Sequence, residues 1–191
     1  METPYFEIPC VILCGGKSSR MGEDKALLPF SNYPTLSQFQ YERLKPFFKE
    51  IYLSSKTDKF NFEKNLILDK ENIHSPMVAL KNIFETLKNE DKIFIITVDT
   101  PFVKIETIEK IINNSQEYSI TVAKTEKTHN LCGLFHKSCL SFINKMLEED
   151  IHKVGFLLKN SATKELQFED EDEFLNMNNK DEYLKAKSII S

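Results

Sequence analysis

The stretch Cys10-Val-Ile-Leu-Cys-Gly-Gly-Lys-Ser-Ser-Arg-Met-Gly-Glu-Asp-Lys25 decides how this chain is read. Cys10 to Cys14 is an apolar run, a buried-strand candidate that ends directly at Gly15-Gly16. Glycine permits positive φ and lets a backbone approach a ligand closely. Successive amides in such a turn make a nest for anions. Lys17, Arg20 and Lys25 then supply three cations, and Ser18 and Ser19 add hydroxyl donors. Arginine takes two phosphate oxygens at once, whereas lysine acts as a point charge. Together these residues suit a triphosphate; they also suit a solvated surface turn. A P-loop needs another glycine five residues before the second one, and Val11 stands there. The dinucleotide fingerprint G-x-G-x-x-G is absent as well.

Outward from this loop, short apolar runs alternate with amphipathic segments. Ile51-Tyr-Leu53 and Leu66-Ile-Leu68 read as strands, the second ending at Asp69. Lys92 to Val98 is the strongest strand; its apolar run lacks clean alternation, so both faces are expected to be covered. It stops at Asp99-Thr100-Pro101. Thr35 to Phe47 carries Leu36, Phe39, Leu44 and Phe47 near helical spacing, with Pro46 marking its end. Met77 to Leu87 places Met77, Leu80, Ile83, Phe84 and Leu87 on one helical face, with Pro76 near its start. Further on, residues 105–112, 138–147 and 180–190 read as helices. Residues 119–123, 131–135, 166–168 and 174–177 read as strands. Such alternation implies right-handed βαβ units and a mostly parallel, three-layer α/β sheet in one domain spanning residues 1–191. Ligands of open α/β sheets sit outside the carboxyl ends of the strands. Gly15-Gly16, Asp69 and Asp99 are therefore expected at one edge.

Composition narrows the function classes. A chain of 191 residues suggests one domain, and 41% hydrophobic with 28% charged residues is ordinary for a globular protein. Lys+Arg number 25 against 29 Asp+Glu, a net charge of −4, which argues against nucleic-acid binding by bulk charge. No apolar stretch approaches the roughly 20 residues of a membrane span. The first ten residues contain Glu2 and Glu7 and no basic group, so they do not read as a secretory signal. Cys10, Cys14, Cys132 and Cys139 are not expected to form a disulfide framework, and a reduced, cytoplasmic protein is the expectation. Cys132, His136 and Cys139 lack a second ligand pair for zinc. The acidic run from Glu169 to Glu173 reads as a solvated loop.

Asp99 should project from a strand end. A hard oxygen ligand there suits Mg²⁺, which takes one or two carboxylates plus substrate phosphates; an N-cap or turn role also fits Asp-x-Pro. Asp69 on its own reads as a turn residue. Asn176 and Asn178 would share one strand face and offer paired carboxamides to a polar ligand, or else precede the last helix as a cap. His129 reads as a loop residue before a strand, within possible reach of a second substrate. No nucleophile elbow supports a Ser/His/Asp triad.

Leu13 to Lys25 resembles the loop L-x-G-G-x-S-x-R-M-G-x-D-K of nucleotidyltransferases that act at an α-phosphate. The wider chain, from Ile8 to about Tyr183, is similar to the molybdenum cofactor guanylyltransferases. That likeness also rests on Leu68-Asp69, on Val98-Asp99-Thr100-Pro101 and on Phe174-Leu-Asn-Met-Asn178. The resemblance implies a Rossmann-like nucleotidyltransferase fold and transfer of GMP from Mg²⁺·GTP to molybdopterin with release of pyrophosphate. It implies nucleotide contacts at Leu13, Cys14, Gly15, Gly16, Lys25, Asp69 and Asp99, and Mg²⁺ on Asp99. Lys25, Arg20 and Asp99 take the catalytic roles, and the asparagines lie on the pterin side. Other cofactor-assembly proteins are implied as partners. Two departures stand out: Ser54 lies where some members carry Asn, and Ser75-Pro-Met-Val-Ala79 replaces Gly-Pro-Leu-x-Gly. A transferase with another base or acceptor, and a nucleotide-binding partner without catalysis, are the alternatives.

Overall fold

The structure, a computed structural model, describes residues 3–16, 22–70, 73 and 75–190. Seven strands form one sheet: β1 (Phe6–Leu13), β2 (Phe48–Ser55), β3 (Asn65–Leu68), β4 (Lys92–Thr97), β5 (Ile120–Lys124), β6 (Thr128–His136) and β7 (Thr163–Gln167). Their order is β3-β2-β1-β4-β6-β5-β7. The helices are α1 (Leu36–Leu44), α2 (Pro76–Thr86), α3 (Ile105–Asn113), α4 (Leu140–Glu148), α5 (Val154–Asn160) and α6 (Lys180–Ile190). Four strand pairings are parallel, β1 with β2 and β4, β2 with β3, and β5 with β7; β6 runs antiparallel to both its neighbours. The mostly parallel sheet is as expected.

Register explains why distant residues meet. Leu13 is level with Ser54 on one side and Thr97 on the other, and Ser55 is level with Leu68. The carboxyl ends of β1 to β4 therefore coincide. The residues just beyond them, Gly15, Asp69 and Asp99, share one edge.

The two faces of the sheet bury different helices. Along β1, Cys10, Ile12 and Cys14 face a core with α1, α3 and α6, while Val11 and Leu13 face α2, α4 and α5. Strand β4 divides likewise, with Phe94 and Ile96 on the first face and Ile93 and Ile95 on the second. That double burial is why its sequence shows no alternation. Each such side chain contributes roughly 1.5–3 kcal/mol by leaving water. Helix α1 starts where Thr35 Oγ1 accepts from Gln38 N at 3.1 Å. Helix α2 starts where Ser75 Oγ accepts from Met77 N and Val78 N, with Pro76 as its first residue.

Three expectations change. Residues 174–177 are not a strand. A 3₁₀ turn covers Glu171–Phe174, and irregular backbone follows. Glu173 is the cause: it is buried, accepts from Lys104 N and Thr107 Oγ1, and pairs with the Lys104 ammonium at 3.0 Å. Those bonds dock the segment on the amino end of α3, where a carboxylate is favoured. For the same reason the acidic run is not wholly solvated. Second, His129 lies inside β6, buried, with Nε2 2.9 Å from Thr125 Oγ1 and its ring stacked on Phe174 at 4.3 Å. It is a core histidine, not a loop contact. Third, helix α5 was not expected, because its Gly155 and short length mask helical spacing.

Candidate active site

The glycine loop leaves β1 at the carboxyl edge. Cys14 N donates to Ser54 O at 2.9 Å, so the chain stays tied to β2 for one residue past the strand. It then turns at Gly16, with φ of 152°, and returns through Gly22, with φ of 71°. Both angles are strained for any residue with a Cβ. An added Cβ at Gly15 or Gly16 would meet no atom within 4 Å, so open space stands over the turn. Lys17, Ser18, Ser19 and Arg20 lie outside the described residues, and so does the catalytic role expected of Arg20.

Past the loop, Asp24 caps a short 3₁₀ turn, Lys25–Leu27, by accepting from Ala26 N at 3.0 Å. This turn sets Lys25 on its target. Lys25 Nζ donates to Asp99 Oδ2 at 2.6 Å and to Asn178 Oδ1 at 3.3 Å. Lysine and aspartate are both mostly buried, at 18% and 16% side-chain exposure, so solvent screens the pair little.

Asp99 is held from three sides. Val98 N donates to Leu13 O at 3.1 Å, which continues the β1–β4 pairing past the strand end. Gln40 Nε2 on α1 donates to Thr100 O at 3.0 Å, and Arg43 Nη1 donates to Val103 O at 2.7 Å. Arg43 also donates to Gln40 Oε1 through Nε and Nη2, so one helix face braces the whole loop after β4. Burial lowers the Arg43 guanidinium to about 10. On the far side Met177 N donates to Asp99 O at 3.1 Å, and Met177 is buried. That anchor delivers Asn178 to Lys25. Asn176 is half-buried two residues earlier, and the two asparagines do not share a strand face. Asn179 is the residue that caps α6, accepting from Glu182 N at 2.9 Å.

Two cavities open at this edge and share Leu13, Gly15, Gly16 and Thr97. The larger, of about 460 Å³, has apolar walls at Leu13, Pro76, Ala79 and Leu131 and polar groups at Ser54, Lys56 and Asp69. Asp69 is fixed at the end of β3 by its amide, which donates to Ser55 O at 2.9 Å, and Ser54 Oγ is 3.5 Å from its Oδ1. The smaller, of about 200 Å³, is lined by Cys14, Asp24, Lys25 and Asp99. So Asp69 and Asp99 meet the same cleft in different compartments. The first compartment is roomier and largely apolar; the second is smaller and lined by charged side chains. The substituted residues Ser75 and Ala79 lie in the wall of the larger one.

Cys10 and Cys14 are buried thiols whose desolvation raises their pKa, and the same effect pushes Cys132 and Cys139 to about 12. They are inert core residues. Among the described residues no cluster of three or more His, Cys, Asp or Glu is placed to hold a metal by protein ligands alone. No helix among them is long and apolar enough to cross a membrane.

Sequence reasoning missed several contributors. Lys59 pairs with Asp24 and donates to Cys14 O, yet it sits in a polar stretch with no motif to mark it. Gln40 and Arg43 read only as polar positions of an amphipathic helix. His152 Nδ1 lies 2.8 Å from Ser75 Oγ, beside the larger cavity, and Nε2 lies 2.9 Å from Asp150 Oδ1. Asp24 did carry a signal, an aspartate just before a short helical turn.

One apolar and one glycine-lined, lysine-bearing compartment at the carboxyl edge of a mostly parallel sheet is the arrangement of a nucleotide-binding α/β domain. Residues 10–164 match the MobA-like NTP transferase domain. A molybdenum cofactor guanylyltransferase of Campylobacter jejuni subsp. doylei is 44% identical over 96% of this chain and 97% of its own. One from Helicobacter pylori strain J99 is 38% identical over 100% of this chain and 93% of its own. With likeness of that extent, the chain belongs to the molybdenum cofactor guanylyltransferase family. The fold is also that of molybdopterin-guanine dinucleotide biosynthesis protein A from Archaeoglobus fulgidus, with a TM-score of 0.82 at 18% identity, covering 95% of this chain and 98% of that one.

Proposed function

We propose that this protein transfers GMP from GTP to the terminal phosphate of molybdopterin and releases pyrophosphate, with Mg²⁺ as cofactor. The observation that carries the reading is the meeting of Lys25 and Asp99 beside Gly15 and Gly16, at the mouth of a base-sized cavity. The family relationship supplies the base and the acceptor.

The attacking group is a phosphomonoester whose second pKa is roughly 6. It is mostly a dianion at neutral pH and needs no general base. The site has two tasks instead: to align two anions and to neutralise charge growing at the α-phosphate. The Gly15 and Gly16 backbone, with open space where side chains would stand, cradles phosphate oxygens. Lys25, already aimed into the smaller cavity, is the point charge at the reacting phosphate. Asn178 orients Lys25 and places the tail segment against the same group. Asp69 faces the base and ribose compartment as a hydrogen-bond acceptor.

The donor set fits Mg²⁺. Asp99 offers a hard carboxylate facing the phosphate compartment, and Mg²⁺ is commonly held by one or two carboxylates with substrate phosphates rather than by a protein cage. Bound there, the ion would add Lewis-acid stabilisation of phosphate charge. Asp99 would hold the ion, and Lys25 would be the group left to meet phosphate oxygens directly.

Thermal unfolding with GTP, CTP, ATP and UTP, each with and without Mg²⁺, tests the nucleotide assignment. A ligand at 100 times its dissociation constant adds about 2.7 kcal/mol, a shift on the order of 5–10 °C for a domain of this size. The shift is expected with GTP and Mg²⁺. A shift with CTP, ATP or UTP in its place would move the substrate, and none with any nucleotide would contradict the reading.

A further inference from the structure

Asp24 poses an electrostatic problem that the transfer reaction does not explain. It stands next to Lys25 and lines the smaller cavity, so its carboxylate faces the compartment assigned above to phosphates. An unpaired carboxylate there would repel the substrate. Lys59 answers it. The Lys59 ammonium forms an ion pair with Asp24 Oδ2, at side-chain exposures of 20% and 36%, and also donates to Cys14 O at 3.1 Å. Cys14 is the last residue before the glycines and Asp24 the last before Lys25. One side chain therefore grips the chain on both sides of the glycine loop.

The segment that presents Lys59 is braced for the purpose. Phe60 is buried and packs edge-to-face on Phe62 at 6.2 Å. Lys64 Nζ donates to Phe60 O at 2.9 Å and pairs with Asp58 at 2.8 Å, while Phe60 N donates to Asp58 Oδ1. The Lys59 ammonium also lies 5.6 Å from the Phe60 ring centroid. The other Asp24 oxygen accepts from Ala26 N, so the pull of Lys59 passes into the short turn that aims Lys25 at Asp99.

We infer that Lys59 is a positioning residue for nucleotide binding, a clasp that neutralises Asp24 and fixes both stems of the glycine loop so that Lys25 meets the triphosphate. This rests on the nucleotide reading above. Charge-assisted hydrogen bonds of this kind set an expected loss of roughly tenfold in Mg²⁺·GTP affinity for Lys59→Met. The loss should appear in KM for GTP more than in kcat, because Lys59 touches no reacting atom. Lys59→Arg should retain most of the affinity. Adding Asp24→Asn to Lys59→Met should recover much of the loss, since asparagine keeps the cap and removes the stranded charge.

Two measurements decide it. Titration calorimetry with Mg²⁺·GTP follows the wild type, Lys59→Met, Lys59→Arg and the double variant. Hydrogen exchange at the Ala26 amide, without nucleotide, follows the clasp itself. Faster exchange in Lys59→Met, with weaker binding that Asp24→Asn relieves, supports the inference. Unchanged Ala26 exchange in Lys59→Met overturns the clasp. Faster exchange with unchanged affinity, or a loss that Asp24→Asn deepens, overturns its role in binding. A wild type that binds no Mg²⁺·GTP would count against the proposed function, and the exchange result would still decide for or against the clasp.

Discussion

Lys25 Nζ lies 2.6 Å from Asp99 Oδ2, across 74 residues of sequence. Two different devices bring them there. Asp99 follows β4, whose register with β1 sets it beside the glycine loop. Lys25 opens a 3₁₀ turn capped by Asp24. The backbone around each residue is thus fixed by separate contacts, and the pair stands at the cleft edge where the proposed function places the triphosphate.

Lys25→Met is expected to lower kcat by roughly 10²–10³, the usual cost of one preorganised electrostatic group, and to lower stability as well, because it takes the ion-pair partner from the mostly buried Asp99 carboxylate. Initial rates across a range of GTP concentrations, up to saturation, check this. A loss confined to KM would make Lys25 a ground-state binding group only.

Arg43→Met should destabilise the protein by about 1–3 kcal/mol, because it strands Val103 O and Gln40 Oε1 inside the fold. The loop after β4 loses its brace as well, so activity should fall although Arg43 is remote from the cleft. Urea unfolding alongside the transferase assay separates the two effects.

Gly133→Ala tests the centre of the sheet. A Cβ there would stand 2.2 Å from Thr121 O and 2.8 Å from Val122 Cα, both backbone atoms of β5. The strands would have to part, at an expected cost of about 1–3 kcal/mol or more, read as a lower urea midpoint.

Stability should fall on acidification partly through His129. Burial, with Lys127 nearby, holds its imidazole below the ordinary range, and Glu171 opposes them weakly. The unfolded chain takes up this proton near pH 6.5, the folded one only at lower pH. Between those values the unfolded state binds more protons, so this contribution is present above the unfolded value and is lost as pH falls from it through the folded one. His129→Gln, which removes the titrating ring, should flatten the slope of unfolding free energy between pH 5 and 7. An unchanged slope would place the effect elsewhere.

Much of this was legible in the sequence, and for physical reasons. Strands β1 and β4 announce themselves because double burial demands unbroken apolar runs. Register then follows from parallel topology, which is why Gly15, Asp69 and Asp99 were expected at one edge and are found there. The end of the chain was harder. Phe174 to Met177 has strand composition, yet a single buried carboxylate, Glu173, draws it onto α3. His129 looked available because nothing local shows the Phe174 ring stacked on it. Lys59, Gln40 and Arg43 act through backbone carbonyls far away in sequence, and such contacts leave no motif. The asparagine pair was half legible: Asn178 reaches the site, but through a loop anchored on Asp99 rather than along a strand.

The most direct measurement is turnover itself: Mg²⁺·GTP and molybdopterin with the purified protein, following pyrophosphate and the dinucleotide form of the cofactor together, in the wild type and in Asp99→Ala. The wild type should release one pyrophosphate per dinucleotide formed, only with both substrates and Mg²⁺ present, and Asp99→Ala should give neither product. GTP binding without pyrophosphate release in the presence of acceptor, or wild-type turnover by Asp99→Ala, would contradict the assignment of this cleft.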